Sequence, residues 1–125
     1  VKRGNKFNAV RVEDGGFTFD SRREHARWCE LVLLQKAKII TDLIVHPVYT
    51  LRAFDTEICK MVPDFEYIED GKWVVEDVKG EATAMLPSFR IKLKLFKANF
   101  PSAEFRIIGL NKRYPSRRRV KRKSF

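Results

Sequence analysis

The sequence predicts an α/β fold, a mixed central sheet flanked by helices, with elements in the order α-β-β-β-α-β. Three observations carry that expectation. Ser21-x-x-Glu24 reads as a capping box ahead of an apolar-rich run of helical character. Residues 61–69 and 72–79 are two β-prone runs separated by Asp70-Gly71, a pair that favours a two-residue type I′ turn. Pro87 suits the first turn of a second helix, which has to end close to Pro101.

Taken in order, residues 1–16 form a basic N-terminal arm with Lys2, Arg3, Lys6 and Arg11, irregular apart from a short strand at 9–12. The first helix runs from Ser21 to Ala37 or Lys38. Residues 47–54 are β-branched and aromatic enough for the first strand, and the Asp70-Gly71 hairpin supplies the next two. Residues 103–110 read as the closing strand after the second helix. The domain is therefore expected over residues 17–110, with residues 111–125 as a separate basic tail.

Composition narrows the class. A chain of 125 residues, 44% hydrophobic and 34% charged, has the balance of one globular domain and not of a disordered chain. No apolar stretch reaches the run of about 18 residues a membrane helix needs. The opening Val1-Lys2-Arg3-Gly4 has no signal-like apolar run, and Cys29 and Cys59 are too few for a disulfide scaffold, so a reducing cytoplasm is the expected compartment. The net charge is +10, and eight of those charges fall in residues 111–125, which contain no acid. A tail of that density suits a polyanion, most often nucleic acid. The remainder is nearly neutral, so its acids have to be read one by one.

With Asp70 and Gly71 as the loop, Glu69 faces Lys72 and the register puts Asp64 directly opposite Asp77. Directly opposed residues have Cβ atoms roughly 4.5–5.5 Å apart. At about 5 Å and an effective dielectric of about 20, two carboxylates repel by roughly 3 kcal/mol. Three arrangements would relieve this: a divalent cation between the acids, neutralisation of one by Lys79, or retention of a proton. A hard cation such as Mg²⁺ is held by one or two carboxylates with waters and phosphate oxygens, which matches the pair. Alternation sends Trp73, Val75, Asp77 and Lys79 to one face, and Val74, Glu76 and Val78 to the other. Glu76 is thus expected as an exposed or helix-paired acid. Glu24 falls between Trp28 and Leu31 on a helical wheel, so it is either a helix cap or an acid pointing into the domain. His25 and His46 read as ordinary surface or partly buried residues, with no spacing for a zinc pair.

The succession Glu24, Pro63-Asp64, then Asp77-Val78-Lys79 resembles the PD-(D/E)XK nuclease superfamily, whose restriction-endonuclease-like core is αβββαβ. Within it the chain looks most like small phage and prophage proteins. The carrying segments are Phe19-Asp20-Ser21-Arg22-Arg23-Glu24, Pro63-Asp64-Phe65-Glu66-Tyr67, Val74-Val75-Glu76-Asp77-Val78-Lys79-Gly80, and Leu93-Lys94-Leu95-Phe96-Lys97 before Pro101. The similarity spans about residues 17–110. It implies Asp64 and Asp77 as metal ligands, the Val78 carbonyl as another, and Glu24 as a further acidic ligand. It implies Lys79 as the residue orienting the attacking water or stabilising charge on the phosphate. The second acid is Asp77 where Glu is commoner, which shortens its reach to the metal. Chemistry apart from the family agrees: a metal between carboxylates activates water and screens phosphate charge, with a nearby Lys assisting.

On the second helix, Arg90, Lys94 and Lys97 form a basic stripe. Phe89, Leu93, Phe96 and Phe100 form one apolar stripe, and Ile91, Leu95 and Ala98 another, so the helix packs against two bodies or is deeply buried. With no base-reading module in the remaining residues, recognition is expected through backbone and shape. DNA-contacting residues are expected at Arg90, Lys94, Lys97, Lys112, Arg113, Arg117, Arg118 and Arg119. The chain also resembles archaeal-type Holliday junction resolvases, homodimers that make paired nicks, in size, charge and motif order. It departs from them in a longer spacing to Asp64 and in lacking their Ser-Gly step. The expected function is therefore a Mg²⁺-dependent endonuclease, with Mn²⁺ as substitute, acting on branched DNA such as a four-way junction as a homodimer. A less selective phage DNA nuclease and a catalytically inert nucleic-acid-binding protein are the alternatives.

Overall fold

In the computed structural model of the chain, residues 10–109 are described. The basic tail, including Lys112, Arg113, Arg117, Arg118 and Arg119, and the arm residues Lys2, Arg3 and Lys6 lie outside them. The chain opens with a hairpin of β1 (Val12–Asp14) and β2 (Phe17–Phe19), whose turn at Gly15-Gly16 uses positive φ at both glycines. It falls at the boundary drawn between arm and domain.

Helix α1 (Arg22–Lys36) starts as its capping box dictates, the Ser21 hydroxyl accepting the Glu24 N–H at 3.1 Å. It stops at a Schellman-type turn built without glycine. Lys38 takes φ 65°, and the N–H groups of Lys38 and Ile39 return to the carbonyls of Gln35 and Leu34.

The strand that follows corrects the sequence reading. Residues after the helix enter the central sheet as β3 (Ile40–Val45), a β-branched segment that the expected strand list omits. The predicted strand at 47–54 does form, as β4 (Tyr49–Ala53), but it pairs with β5 (Thr56–Met61) in a hairpin apart from the central sheet. Then come β6 (Phe65–Glu69) and β7 (Lys72–Val78), the short helix α2 (Glu81–Ala84), α3 (Pro87–Asn99) with Pro87 in its first turn, and β8 (Glu104–Ile108). The sheet order is β3-β6-β7-β8, with β3/β6 and β6/β7 antiparallel and β7/β8 parallel. The parallel pair needs a crossover, which α3 supplies. The fold is α/β with a mixed central sheet.

The β6–β7 register is the expected one, Glu69↔Lys72 through Phe65↔Glu76, around a turn with φ 53° at Asp70 and 76° at Gly71. Alternation along it divides the core. Val74 joins Phe19, Leu31, Ile40, Phe65 and Tyr67 on the α1 side. Val75 joins Tyr49, Leu51, Met61, Phe89 and Phe96 on the α3 side. Fully burying such a side chain contributes about 1.5–3 kcal/mol, so these two layers dominate the stability. The Asn99 side chain ties the β4–β5 hairpin to α3, accepting the Arg52 N–H at 3.0 Å and donating to the Arg52 carbonyl at 3.1 Å. On α3 Phe89 and Phe96 are buried, with Leu93 and Phe100 of their stripe and Leu95 of the other packed against the same core, whereas Ile91 and Ala98 are exposed. The helix packs on one side only among the described residues.

Candidate metal centre

Three carboxylates meet where β6 begins, β7 ends and α1 starts. The β6–β7 ladder stops at Phe65↔Glu76, and Asp64 donates its N–H to the Glu76 carbonyl at 3.0 Å. Asp64 is thus displaced from the strict position opposite Asp77 expected from the register. Their carboxyl groups nevertheless lie within hydrogen-bonding reach of one another, and Asp64 also reaches Glu24. The second acceptor role of Asp64 is local: its Oδ2 takes the Val78 N–H at 2.7 Å.

Glu24 fills both roles left open for it. It completes the cap, its Oε1 accepting the Asp20 N–H at 3.1 Å, and its side chain is buried in the cluster. Helix α1 can deliver an acid there because the cap fixes its first turn against the end of the sheet.

Lys79 is held just past β7 by its N–H to the Ile108 carbonyl at 2.9 Å. Its ammonium lies 3.3 Å from Asp77 Oδ2 and 4.7 Å from the centre of the Phe89 ring. It therefore partly neutralises Asp77, one of the three arrangements foreseen. Even so, both aspartates are pushed well above the ordinary carboxylate range. Burial is the main cause for each, and the charge of Asp64 adds to it at Asp77, that of Glu24 at Asp64. A hydrogen bond to a charged group is worth about 1.5–3 kcal/mol, similar to one carboxylate–carboxylate repulsion. The Val78 and Lys79 contacts can thus offset one repulsion, but Lys79 pairs with Asp77 alone, which leaves a deficit of positive charge at Asp64.

That deficit is the test of fit for a divalent cation. The donors are carboxylate oxygens, a hard set that suits Mg²⁺ or Mn²⁺. Val78 adds another. In an extended strand the N–H and C=O of one residue point to the same neighbour, and the Val78 N–H points to Asp64, so its carbonyl turns toward the acids as well.

Glu76 is not part of this cluster, as alternation predicts, and of its two expected placements it takes the helix-paired one, fully buried against Arg27 of α1. It accepts from Arg27 Nε at 2.9 Å, from Arg27 Nη2 at 2.5 Å, and from the Tyr67 hydroxyl. Burial followed by the Glu76 carboxylate pushes the Tyr67 hydroxyl up, and Glu76 is the main cause raising Arg27. This is a structural ion pair binding α1 to the sheet.

Two residues of the site were missed. His46 follows β3 with φ 56°, donates its N–H to the Asp64 carbonyl at 2.9 Å, and places Nε2 2.8 Å from Glu24 Oε2. Recognising 40–45 as a strand of the central sheet would have found it, because Val45 pairs with Phe65 and the next residue then falls beside Asp64. Lys92 is the other. It lines a cleft that reaches one of the three acids, Asp77, together with Lys79, Val62, Leu86 and Phe89. The expected basic stripe is elsewhere: Arg90 and Lys94 line a shallow groove with Pro87 and Ile91, and Lys97 is exposed on that same flank. At 100° per residue Lys92 stands roughly 160° from Arg90, so the stripe and the cleft occupy different flanks of α3.

Residues 4–115 match the family described as protein of unknown function (DUF1064), and the chain belongs to that family. No curated protein and no solved structure matches it. No described helix is long and apolar enough to cross a membrane.

Proposed function

We propose that the protein is a divalent-metal-dependent, structure-selective DNA endonuclease, a Holliday junction resolvase of phage type that works as a homodimer. The observation that carries this reading is the meeting of Asp64, Asp77 and Glu24 beside Lys79 at the end of a β-hairpin. Asp64, Asp77, Glu24 and the Val78 carbonyl would hold Mg²⁺, or Mn²⁺ in its place. When bound, the ion supplies neutralisation of phosphate charge and a lowered pKa of water.

The chain's own groups do the rest. Lys79, fixed between Asp77 and the Phe89 ring, sets an ammonium where negative charge builds on the phosphate. Lys92 anchors the backbone on the opposite lip of the cleft. Val62 and Leu86, both exposed beside it, supply an apolar rim against which sugar edges can rest. The Arg90–Lys94 groove and the basic tail would grip other arms of a branched substrate, with the steep salt dependence of phosphate contacts. Free thiols at Cys29 and Cys59 accord with the cytoplasmic compartment this reading implies.

The test is cleavage of a labelled four-way junction beside linear duplex of matching sequence, with Mg²⁺, Mn²⁺ or EDTA, for wild type and Asp77→Asn. Paired symmetric nicks on the junction, lost in EDTA and in the variant, are the expected result. Equal cutting of duplex would leave a less selective nuclease. Binding without cutting in any divalent ion would leave a nucleic-acid-binding protein and overturn the enzyme.

A further inference from the structure

One nitrogen donor stands inside the acidic cluster. A ring nitrogen of His46, a carboxylate oxygen of Glu24 and one of Asp64 all lie within 4.8 Å of one another. We infer that Glu24, His46 and Asp64 form a second cation position of mixed nitrogen and oxygen donors, which takes a first-row transition ion in preference to Mg²⁺. It adjoins the all-oxygen position of Asp64, Asp77 and the Val78 carbonyl, and it rests on the reading of these acids as a cation site.

The contacts of these side chains support it. Glu24 spends Oε1 on the Asp20 N–H, and Oε2 is the atom that faces His46 at 2.8 Å. Asp64 spends Oδ2 on the Val78 N–H. The 2.8 Å between Glu24 Oε2 and the imidazole nitrogen matches the separation of two ligands on one ion, which at about 2.0–2.2 Å each stand about 3 Å apart. The imidazole is also held in place. The backbone N–H of His46 is bonded to the Asp64 carbonyl, so one main-chain contact sets both residues beside each other. Pro47 follows, and the Phe19 ring lies with its centre 6.1 Å from that of His46. The left-handed φ of His46 costs of order 1–3 kcal/mol in a non-glycine residue. Imidazole favours the first-row transition ions, whereas Mg²⁺ favours carboxylate, carbonyl and water.

The probe is Mn²⁺, bound to the full chain and read by pulsed electron paramagnetic resonance for nitrogen coupled to the ion. A His25→Ala background removes the other histidine, which sits 2.9 Å from Asp14 in a separate exposed group. His46→Asn is the test variant, because Asn tolerates a left-handed backbone and the fold is retained. We expect imidazole-nitrogen modulation in the background protein and its loss in His46→Asn. Mn²⁺ affinity should fall by about tenfold or more with Mg²⁺ affinity little changed. Bound Mn²⁺ without nitrogen modulation, or modulation that survives His46→Asn, overturns the inference and leaves the acids as a cation site. Failure of wild type to bind Mn²⁺ at all overturns both.

Discussion

Asp64 Oδ2 accepts the backbone N–H of Val78 at 2.7 Å, so the carboxylate at the start of one strand is locked to the end of the next. The contact keeps Asp64 against Asp77 even though the ladder has already ended at Phe65 and Glu76. It also means that the two acids cannot relax apart, and the energetic consequences of that are measurable.

Without a divalent ion, stability should fall as pH rises from about 4 through neutrality. The folded pair has raised proton affinity, chiefly through burial, so the native state binds more protons than the unfolded chain across that window. Stability therefore declines with pH, and saturating Mg²⁺ should flatten the slope by binding only the deprotonated native site. Urea unfolding in EDTA between pH 5 and pH 8, repeated with Mg²⁺, checks both signs.

Asp64→Asn removes one charge from the cluster and keeps an acceptor for the Val78 N–H. It should raise stability in EDTA by about 0.5–2 kcal/mol at pH 8, with much less gain at pH 5, while abolishing cleavage. A variant that is less stable at pH 8 would show that the acids do not repel in the folded state.

Arg27→Ala leaves Glu76 buried without its cation and should cost about 3–5 kcal/mol. Glu76→Gln should cost less, since the Tyr67 hydroxyl keeps an acceptor. Neither residue touches the acid cluster, so a double-mutant cycle in urea should show strong coupling between them and none with Asp64.

Lys92→Ala should weaken DNA binding and lower the salt slope by roughly one, and cleavage should fall with it. Arg90→Ala with Lys94→Ala should lower the slope by roughly two yet leave cleavage of bound DNA unchanged, because they lie on the other flank of α3. Lys79→Ala should retain binding and reduce turnover by about 10²-fold.

Gly109→Ala probes the end of β8, next to Lys79. Gly109 has φ 102°, its carbonyl receives Arg23 Nη2 at 2.9 Å, and an added Cβ would fall 2.0 Å from that nitrogen. The backbone alone makes the change destabilising by more than about 1 kcal/mol, as thermal unfolding should show.

Local chemistry by itself determined the capping box at Ser21, the Asp70-Gly71 turn with its register, the start of α3 at Pro87 and the separation of Glu76 from Asp77. Each depends on residues a few positions apart, whose hydrogen bonds and alternation hold wherever the segment sits. Tertiary structure decided the rest. Residues 40–45 became the edge strand of the central sheet by pairing with β6, whereas residues 49–61 pair among themselves in a separate hairpin. His46 entered the acid cluster through a backbone bond to Asp64, eighteen positions along the chain, which no local pattern specifies. Lys92 and Arg90 are two residues apart, yet they serve different surfaces, because the burial of Phe89 and Phe96 sets the rotation of α3. Sequence periodicity assigns residues to faces of an element; only packing decides what each face meets.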